Sequence, residues 1–212
     1  MLQLIMGNRN YSSWSMRGWL ALRLTGAEFE EQVFPLGEPG IRARILAHSP
    51  TGRVPALRDG KLTVWDSLAI AEYLAERFPQ AGLWPEDRAE RALARSTCAE
   101  MHSGFAALRA NMPFNVRRRS PGKGRAPGVG EDIARIQQLW RECLAAGGDF
   151  LFGDFGLADV FYAPVVLRFR TYAVPLEEPE ASWAERVLEN EHVRAWCEAA
   201  EAEPWIEPQY EI

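Results

Sequence analysis

The sequence predicts an α/β segment followed by an all-helical one. Three observations carry this reading. Short apolar runs of strand length alternate with helix-period segments over the first 80 residues, an Asp-Gly hairpin signal lies among them, and after Trp84-Pro85-Glu86-Asp87 the strand signal stops. With 212 residues, 47% hydrophobic and 25% charged, the chain has the profile of a folded globular protein, and its length allows one large domain or two small ones. The composition shift divides it into residues 1–80 and 86–212.

Leu2 to Met6 reads as the first strand, followed by the polar turn Gly7 to Asn10. From Ser15 onward, Met16, Trp19, Leu20 and Leu22, with Arg17 and Arg23 between them, predict an amphipathic helix that Gly26 stops. Glu30 to Phe34 reads as a second strand. Ile41 to His48 reads as a short helix that Pro50 and Gly52 terminate. Val54 to Leu57 and Leu62 to Trp65 predict a hairpin, because Asp59-Gly60 between them tolerates the positive φ of a type I′ turn. Asp66 and Ser67 then precede a periodic helix, Leu68 to Phe78, closed by Pro79. Further on, Ala89 to Arg109, Glu131 to Ala146, Leu157 to Phe169 and Trp183 to Glu201 read as helices. Pro164 should kink its helix or sit where a missing hydrogen bond is tolerated, and Arg117 to Gly128 is a basic loop rich in Pro and Gly.

A formal charge of −5 argues against a surface shaped for nucleic acid. Three dispersed cysteines, Cys98, Cys143 and Cys197, suit small buried hydrophobes in a reducing compartment. The histidines lie apart from one another and from any Cys or carboxylate at ligand spacing, so no metal site is expected. No basic leader and no run of roughly 18 to 20 apolar residues is present, which predicts a cytoplasmic protein without a membrane span.

Three stretches could carry chemistry. Asn10-Tyr11-Ser12-Ser13-Trp14-Ser15-Met16-Arg17 puts three hydroxyls where the first strand gives way to the first helix. Capping uses one of them, and three exceed what one cap requires. A helix amino terminus with an added hydroxyl stabilises an anion, and a thiolate held there titrates below its free value of about 8.5. In Gly52-Arg53-Val54-Pro55, a turn entering an edge strand is one reading; a cis bond presenting the Val54 backbone to an extended peptide is the other. At Asp66-Ser67 a helix cap competes with a site that reads the ammonium and carboxylate of an amino acid.

Taken together, the Ser-rich turn, the βαβα-ββα order, Val54-Pro55, Asp66-Ser67 before Ser67-Leu68-Ala69-Ile70-Ala71-Glu72-Tyr73-Leu74, and a following helical part resemble the cytosolic glutathione transferases over nearly the whole chain. The resemblance implies a thioredoxin-like domain at residues 1–80, an all-helical domain at 86–212 that contributes the electrophile pocket, and a homodimer. It implies glutathione as co-substrate, with the Val54 backbone pairing its cysteinyl unit, Asp66 and Ser67 holding its γ-glutamyl end, and Arg53 beside them.

Ser12-Ser13 with Arg17 is similar to the zeta class, whose hydroxyl hydrogen-bonds the glutathione sulfur. Matching Arg17 and Ala21-Leu22 prefers Ser12, theta-like spacing selects Ser13, and both are carried as catalytic candidates. Trp14 stands where the zeta pattern has Cys. That departure speaks against a catalytic cysteine in this turn and weakens transfer of the zeta isomerase activity. Asp159, three residues after Gly156, matches a structural capping box of the family. Trp14, Arg109 and Asn111 are the candidates for the electrophile pocket. The Arg117 to Arg125 loop either borders the cleft or is simply solvated.

The expectation is a transferase that conjugates the glutathione thiolate to a small electrophile. A glutathione-dependent cis-trans isomerase and a noncatalytic binding module on the same fold are the alternatives.

Overall fold

The computed structural model describes residues 1–211. Its first part is a four-stranded sheet in the order β2-β1-β3-β4, with β1 (Leu2–Gly7) parallel to β2 (Phe29–Phe34) and antiparallel to β3 (Ala56–Asp59), and β4 (Leu62–Trp65) antiparallel to β3. Alternation along β1 explains why this strand is central. Leu4 and Met6 enter the main core with α1 (Ser13–Leu24) and α3 (Ser67–Arg77), whereas Ile5 points to the other face. There it packs with Phe34, Ala56 and Ile45 of α2 (Ile41–Leu46).

The rest is helical: α4 (Arg88–Ser103), α5 (Ala106–Asn111), α6 (Val129–Leu144), α7 (Leu157–Tyr172), α8 (Glu180–Glu189) and α9 (Glu191–Ala202). This is the thioredoxin-like unit plus helical unit that the sequence led us to expect. The helix α7 is buried on nearly every side, as a helix apolar all round must be, and it continues through Pro164. On one side α1 packs against α7 and α9, and α3 packs against α4, so a single core runs from the sheet into the helices. Asp159 accepts from the Gly156 and Leu151 amides and from Trp183 Nε1 at 3.0, 3.1 and 2.8 Å. Burial nevertheless pushes its carboxyl up to about 6, against those bonds, and its role is structural.

Three local expectations need correction. Ala89 to Arg109 is not one helix: it breaks at Gly104-Phe105, where Phe105 has φ 55° and a Cβ on Gly104 would lie 2.7 Å from the Glu100 carbonyl. Trp183 to Glu201 is two helices, because Asn190 ends α8 and its side chain caps α9 by accepting from His192 and Val193. The hairpin turn is Gly60-Lys61, one residue later than Asp59-Gly60. Only Gly60 of that pair has positive φ, so the turn is not type I′. Gly26, at φ 70°, stops α1 as its sequence position indicates.

Candidate active site

A cleft of about 660 Å³ opens between the two units, lined by Trp14, Arg42, Thr51, Arg53, Val54, Pro55, Trp65, Asp66, Ser67 and His102. The Val54-Pro55 peptide is cis, and Val54 stands two residues before the β3 ladder begins, so its backbone is not committed to that ladder. The helix α1 reaches this turn through Gly18, where a Cβ would lie 3.2 Å from two Pro55 side-chain atoms.

Asp66 has φ 77° and caps α3 through one carboxylate oxygen, 2.8 Å from the Leu68 amide and 3.4 Å from that of Ala69. A cap of this kind stabilises by about 1 kcal/mol, while a strained non-glycine backbone costs roughly 1 to 3 kcal/mol. Capping alone therefore does not account for Asp66. Its second oxygen lies 3.2 Å from His102 Nε2, which ties the sheet unit to α4. The Ser67 hydroxyl is buried, belongs to the cleft lining and meets no hydrogen-bond partner among the described residues.

The two candidate serines are buried beside Trp14 and do not line the cleft themselves. Ser12 is engaged as the N-cap. Its oxygen accepts from the Ser15 amide at 3.2 Å and its hydroxyl donates to Ser15 Oγ at 2.7 Å, which in turn accepts from the Gly7 amide at 2.9 Å. Ser13 Oγ accepts from Arg168 Nη2 at 3.4 Å, and its own proton has no acceptor among the described residues.

Behind them lies a cationic cluster of Arg17, Arg109 and Arg168, of which sequence reasoning assigned only Arg109 to the pocket. The Arg17 guanidinium sits 4.5 Å from the Trp14 ring and that of Arg109 sits 5.6 Å from it. Arg17 and Arg168 are buried, and each spends Nε on a backbone carbonyl, Phe161 at 3.0 Å and Met112 at 2.9 Å. Among the described residues, both Nη atoms of Arg17 and one of Arg168 meet no hydrogen-bond partner, and neither arginine has an acidic partner within salt-bridge distance. Burial first, then repulsion from Arg168 and Arg109, pushes Arg17 down to about 9. Burial, with Arg109 adding, pushes Arg168 down to about 10. Both stay charged near neutrality. The sign to look for was an arginine in an otherwise apolar helix face, which both positions show.

Arg109 also donates to the His102 carbonyl at 3.1 Å, so it supports the cleft wall through Trp14 and His102. Asn111 bonds the Ala107 carbonyl of its own helix and is not among the lining residues. The basic loop turns to other work. Arg117 holds the Glu203 and Trp205 carbonyls, and Arg118 pairs with Ser120 and Glu211, so neither reading of this loop, as cleft border or as solvated surface, describes those two residues. No cysteine lines the cleft, and burial pushes the Cys98 thiol well up. Among the described residues no group of three or more His, Cys, Asp or Glu could hold a metal, and no helix is long and apolar enough to cross a membrane.

Known proteins resemble this chain in sequence and fold. Residues 11–77 match the model of the glutathione S-transferase N-terminal domain and residues 125–199 that of the C-terminal domain. A maleylacetoacetate isomerase of Pseudomonas aeruginosa is 32% identical over 181 residues, covering 80% of this chain and 82% of that protein. The structure of a glutathione transferase homologue from a Burkholderia, with bound glutathione, superposes with a TM-score of 0.74 at 25% identity, over 95% of this chain and 99% of that one. A maleyl pyruvate isomerase described as a bacterial zeta-class glutathione S-transferase gives 0.72 at 25% identity, over 95% and 98%. The chain belongs to the glutathione S-transferase family.

Proposed function

We propose that the protein binds glutathione in the cleft of Trp14, Val54, Asp66 and Ser67 and transfers its thiolate to a small electrophile. The observation that carries this is the convergence of Arg53, Val54, Asp66 and Ser67 on one cleft beside the hydroxyl-bearing turn, with the Ser67 hydroxyl unpartnered inside it. In this reading Val54 pairs the cysteinyl backbone. Ser67, at the start of α3, takes the γ-glutamyl carboxylate while Asp66 takes the ammonium, and Arg53 lies beside the peptide. A buried hydroxyl without a partner costs about 1 to 3 kcal/mol, which a ligand oxygen recovers.

Ser13 is our preferred donor to the sulfur. Its oxygen accepts from a charged guanidinium and its proton is free, whereas the Ser12 proton is already given to Ser15. The buried positive charge of Arg17 and Arg168 lowers the thiol pKa further. The thiolate attacks carbon, a sulfur–carbon bond forms, and the leaving group departs with its electron pair. The serine is a hydrogen-bond donor, neither nucleophile nor base. Residues 1–80 hold glutathione and 86–212 supply the electrophile wall, with Trp14 between them. Calorimetry with glutathione, followed by conjugation assays on halogenated electrophiles, tests the reading: no heat and no turnover would reject it.

One observation favours a second reading, the isomerase. Arg17 and Arg109 gather positive charge at Trp14 and Arg168 adds its own at Ser13, which suits an electrophile that carries a carboxylate. Addition of the thiolate to a cis double bond, rotation and elimination would isomerise such an acid with no net loss of glutathione. A panel of cis-dienoic acids separates the two. We further propose a homodimer, supported by the exposed Leu62 and Trp65 on β4 and Leu93 on α4, and a cytoplasmic location, supported by three free cysteines. Sedimentation at low and high concentration tests it.

A further inference from the structure

The turn from Asn8 to Tyr11 connects β1 to α1 and delivers Ser12 and Ser13. It has no strand ladder to hold it. Three of its neighbouring amides find nearby acceptors: Asn8 donates to the Phe34 carbonyl, and Tyr11 and Ser12 donate to that of Asn8. The other two, Arg9 and Asn10, have no local acceptor. Both donate to one carboxylate, Glu203, at 2.8 Å to Oε1 and 3.1 Å to Oε2, across 193 positions of chain for Asn10. A carboxylate is the one side-chain group that offers an oxygen to each of two successive amides with charge behind both bonds.

Glu203 is itself fixed from outside. Arg9 lies 3.7 Å from its carboxylate, and Arg117 donates to its carbonyl at 2.7 Å and to that of Trp205 at 2.6 Å. Glu207, 2% exposed, continues the attachment. Its carboxylate accepts from the Gly37 amide at 2.7 Å, and its own amide donates to the Tyr11 hydroxyl at 3.1 Å. The segment after α9 is thus bonded to the back of the turn whose front carries the serines.

We infer that Glu203 is a positioning residue: its carboxylate, seated on the Arg9 and Asn10 amides, sets where the Ser12-Ser13 hydroxyls stand relative to the glutathione sulfur. The inference rests on the proposed glutathione reading. Glu203 does not line the cleft and has no hydrogen bond or ion pair to a described residue that does, so it acts on the reacting atom and not on glutathione capture. Displacement of a reacting group by about 1 Å costs on the order of a hundredfold in rate.

The test uses the full chain with Glu203→Gln, Glu203→Asp and Tyr11→Phe, and reads the ultraviolet absorbance of bound glutathione thiolate against pH, with kcat and KM alongside. Glutamine keeps one acceptor and turns an N–H donor toward the second amide. Expected are a bound-thiol pKa raised in Glu203→Gln, kcat reduced about tenfold to a hundredfold, KM for glutathione changed less than about twofold, and partial recovery in Glu203→Asp. If Glu203→Gln does not fold, Tyr11→Phe, which removes the hydroxyl that accepts from the Glu207 amide and Arg117 and donates to Glu211 but leaves the Glu203 carboxylate in place, is expected to move the thiol pKa in the same direction by less. A variant that folds and loses only melting temperature, with thiol pKa and kcat of the parent, overturns the inference and leaves the glutathione reading standing. A parent chain that binds no glutathione overturns both.

Discussion

Arg168 Nη2 lies 3.4 Å from Ser13 Oγ, joining the C-terminal part of the buried helix α7 to the first residue of α1. The bond occupies an oxygen lone pair and leaves the hydroxyl proton available, while a neighbouring serine, Ser12, is consumed in capping. Two adjacent hydroxyls are thereby given different work. One holds the helix, and the other keeps its proton free.

Ser13→Ala is expected to lower kcat/KM by about 1.5 to 3 kcal/mol, the range for a hydrogen bond to a charged group, with little change in stability. Ser12→Ala is expected to cost about 1 kcal/mol of stability through the lost cap and to affect catalysis less. Steady-state kinetics paired with urea unfolding of each variant separates the two effects. Equal catalytic losses would contradict the division.

Asp66→Asn keeps a capping oxygen and a residue that tolerates positive φ, and it removes the charge. Stability should stay within about 0.5 kcal/mol while glutathione affinity falls roughly tenfold to a hundredfold. Calorimetry on the variant checks it. Unchanged affinity would remove Asp66 from the ammonium site.

Arg17 is a fully buried cation without an acidic partner among the described residues, held by one carbonyl and two aromatic rings. Its burial opposes folding, and in the proposed mechanism its charge acts on the thiolate. Arg17→Met should leave stability equal or raise it by up to about 4 kcal/mol, offset by the lost cation–π contacts, while turnover and the affinity for anionic electrophiles fall. A variant that loses both stability and activity would show that Arg17 is structural.

Asp159 gives the pH dependence its sign. Its folded value, about 6, lies above the unfolded 3.8, so the folded state holds the proton more tightly between the two. This contribution to stability is full below about pH 4 and declines as pH rises through 6, by on the order of 3 kcal/mol. Asp159→Asn lacks the titration. Plotting parent minus variant stability from pH 4 to 7 should give a falling curve, and a flat or rising one would contradict the raised carboxyl.

Much of this was legible because it is local. The Leu2 to Met6 run, the strand alternation about Gly60 and the Asp66-Ser67 start of α3 are set by neighbours in sequence, and so Val54, Asp66 and Ser67 could be found by pattern. The break at Phe105 escaped because a bulky residue at positive φ has no local signature, though Asn190 before Glu191 was a readable cap. His102, Arg168 and Glu203 escaped for another reason: each meets the site from a distant part of the chain, and only the packing of α4 and α7 and of the segment after α9 brings them there.

The most direct test is the pH titration of thiolate absorbance for glutathione bound to the parent chain and to the Ser12→Ala, Ser13→Ala double variant. A bound-thiol pKa well below the free value of about 8.5 is expected in the parent, with a return toward that value in the variant. A bound thiol that titrates near the free value in the parent, or identically in both, would contradict it.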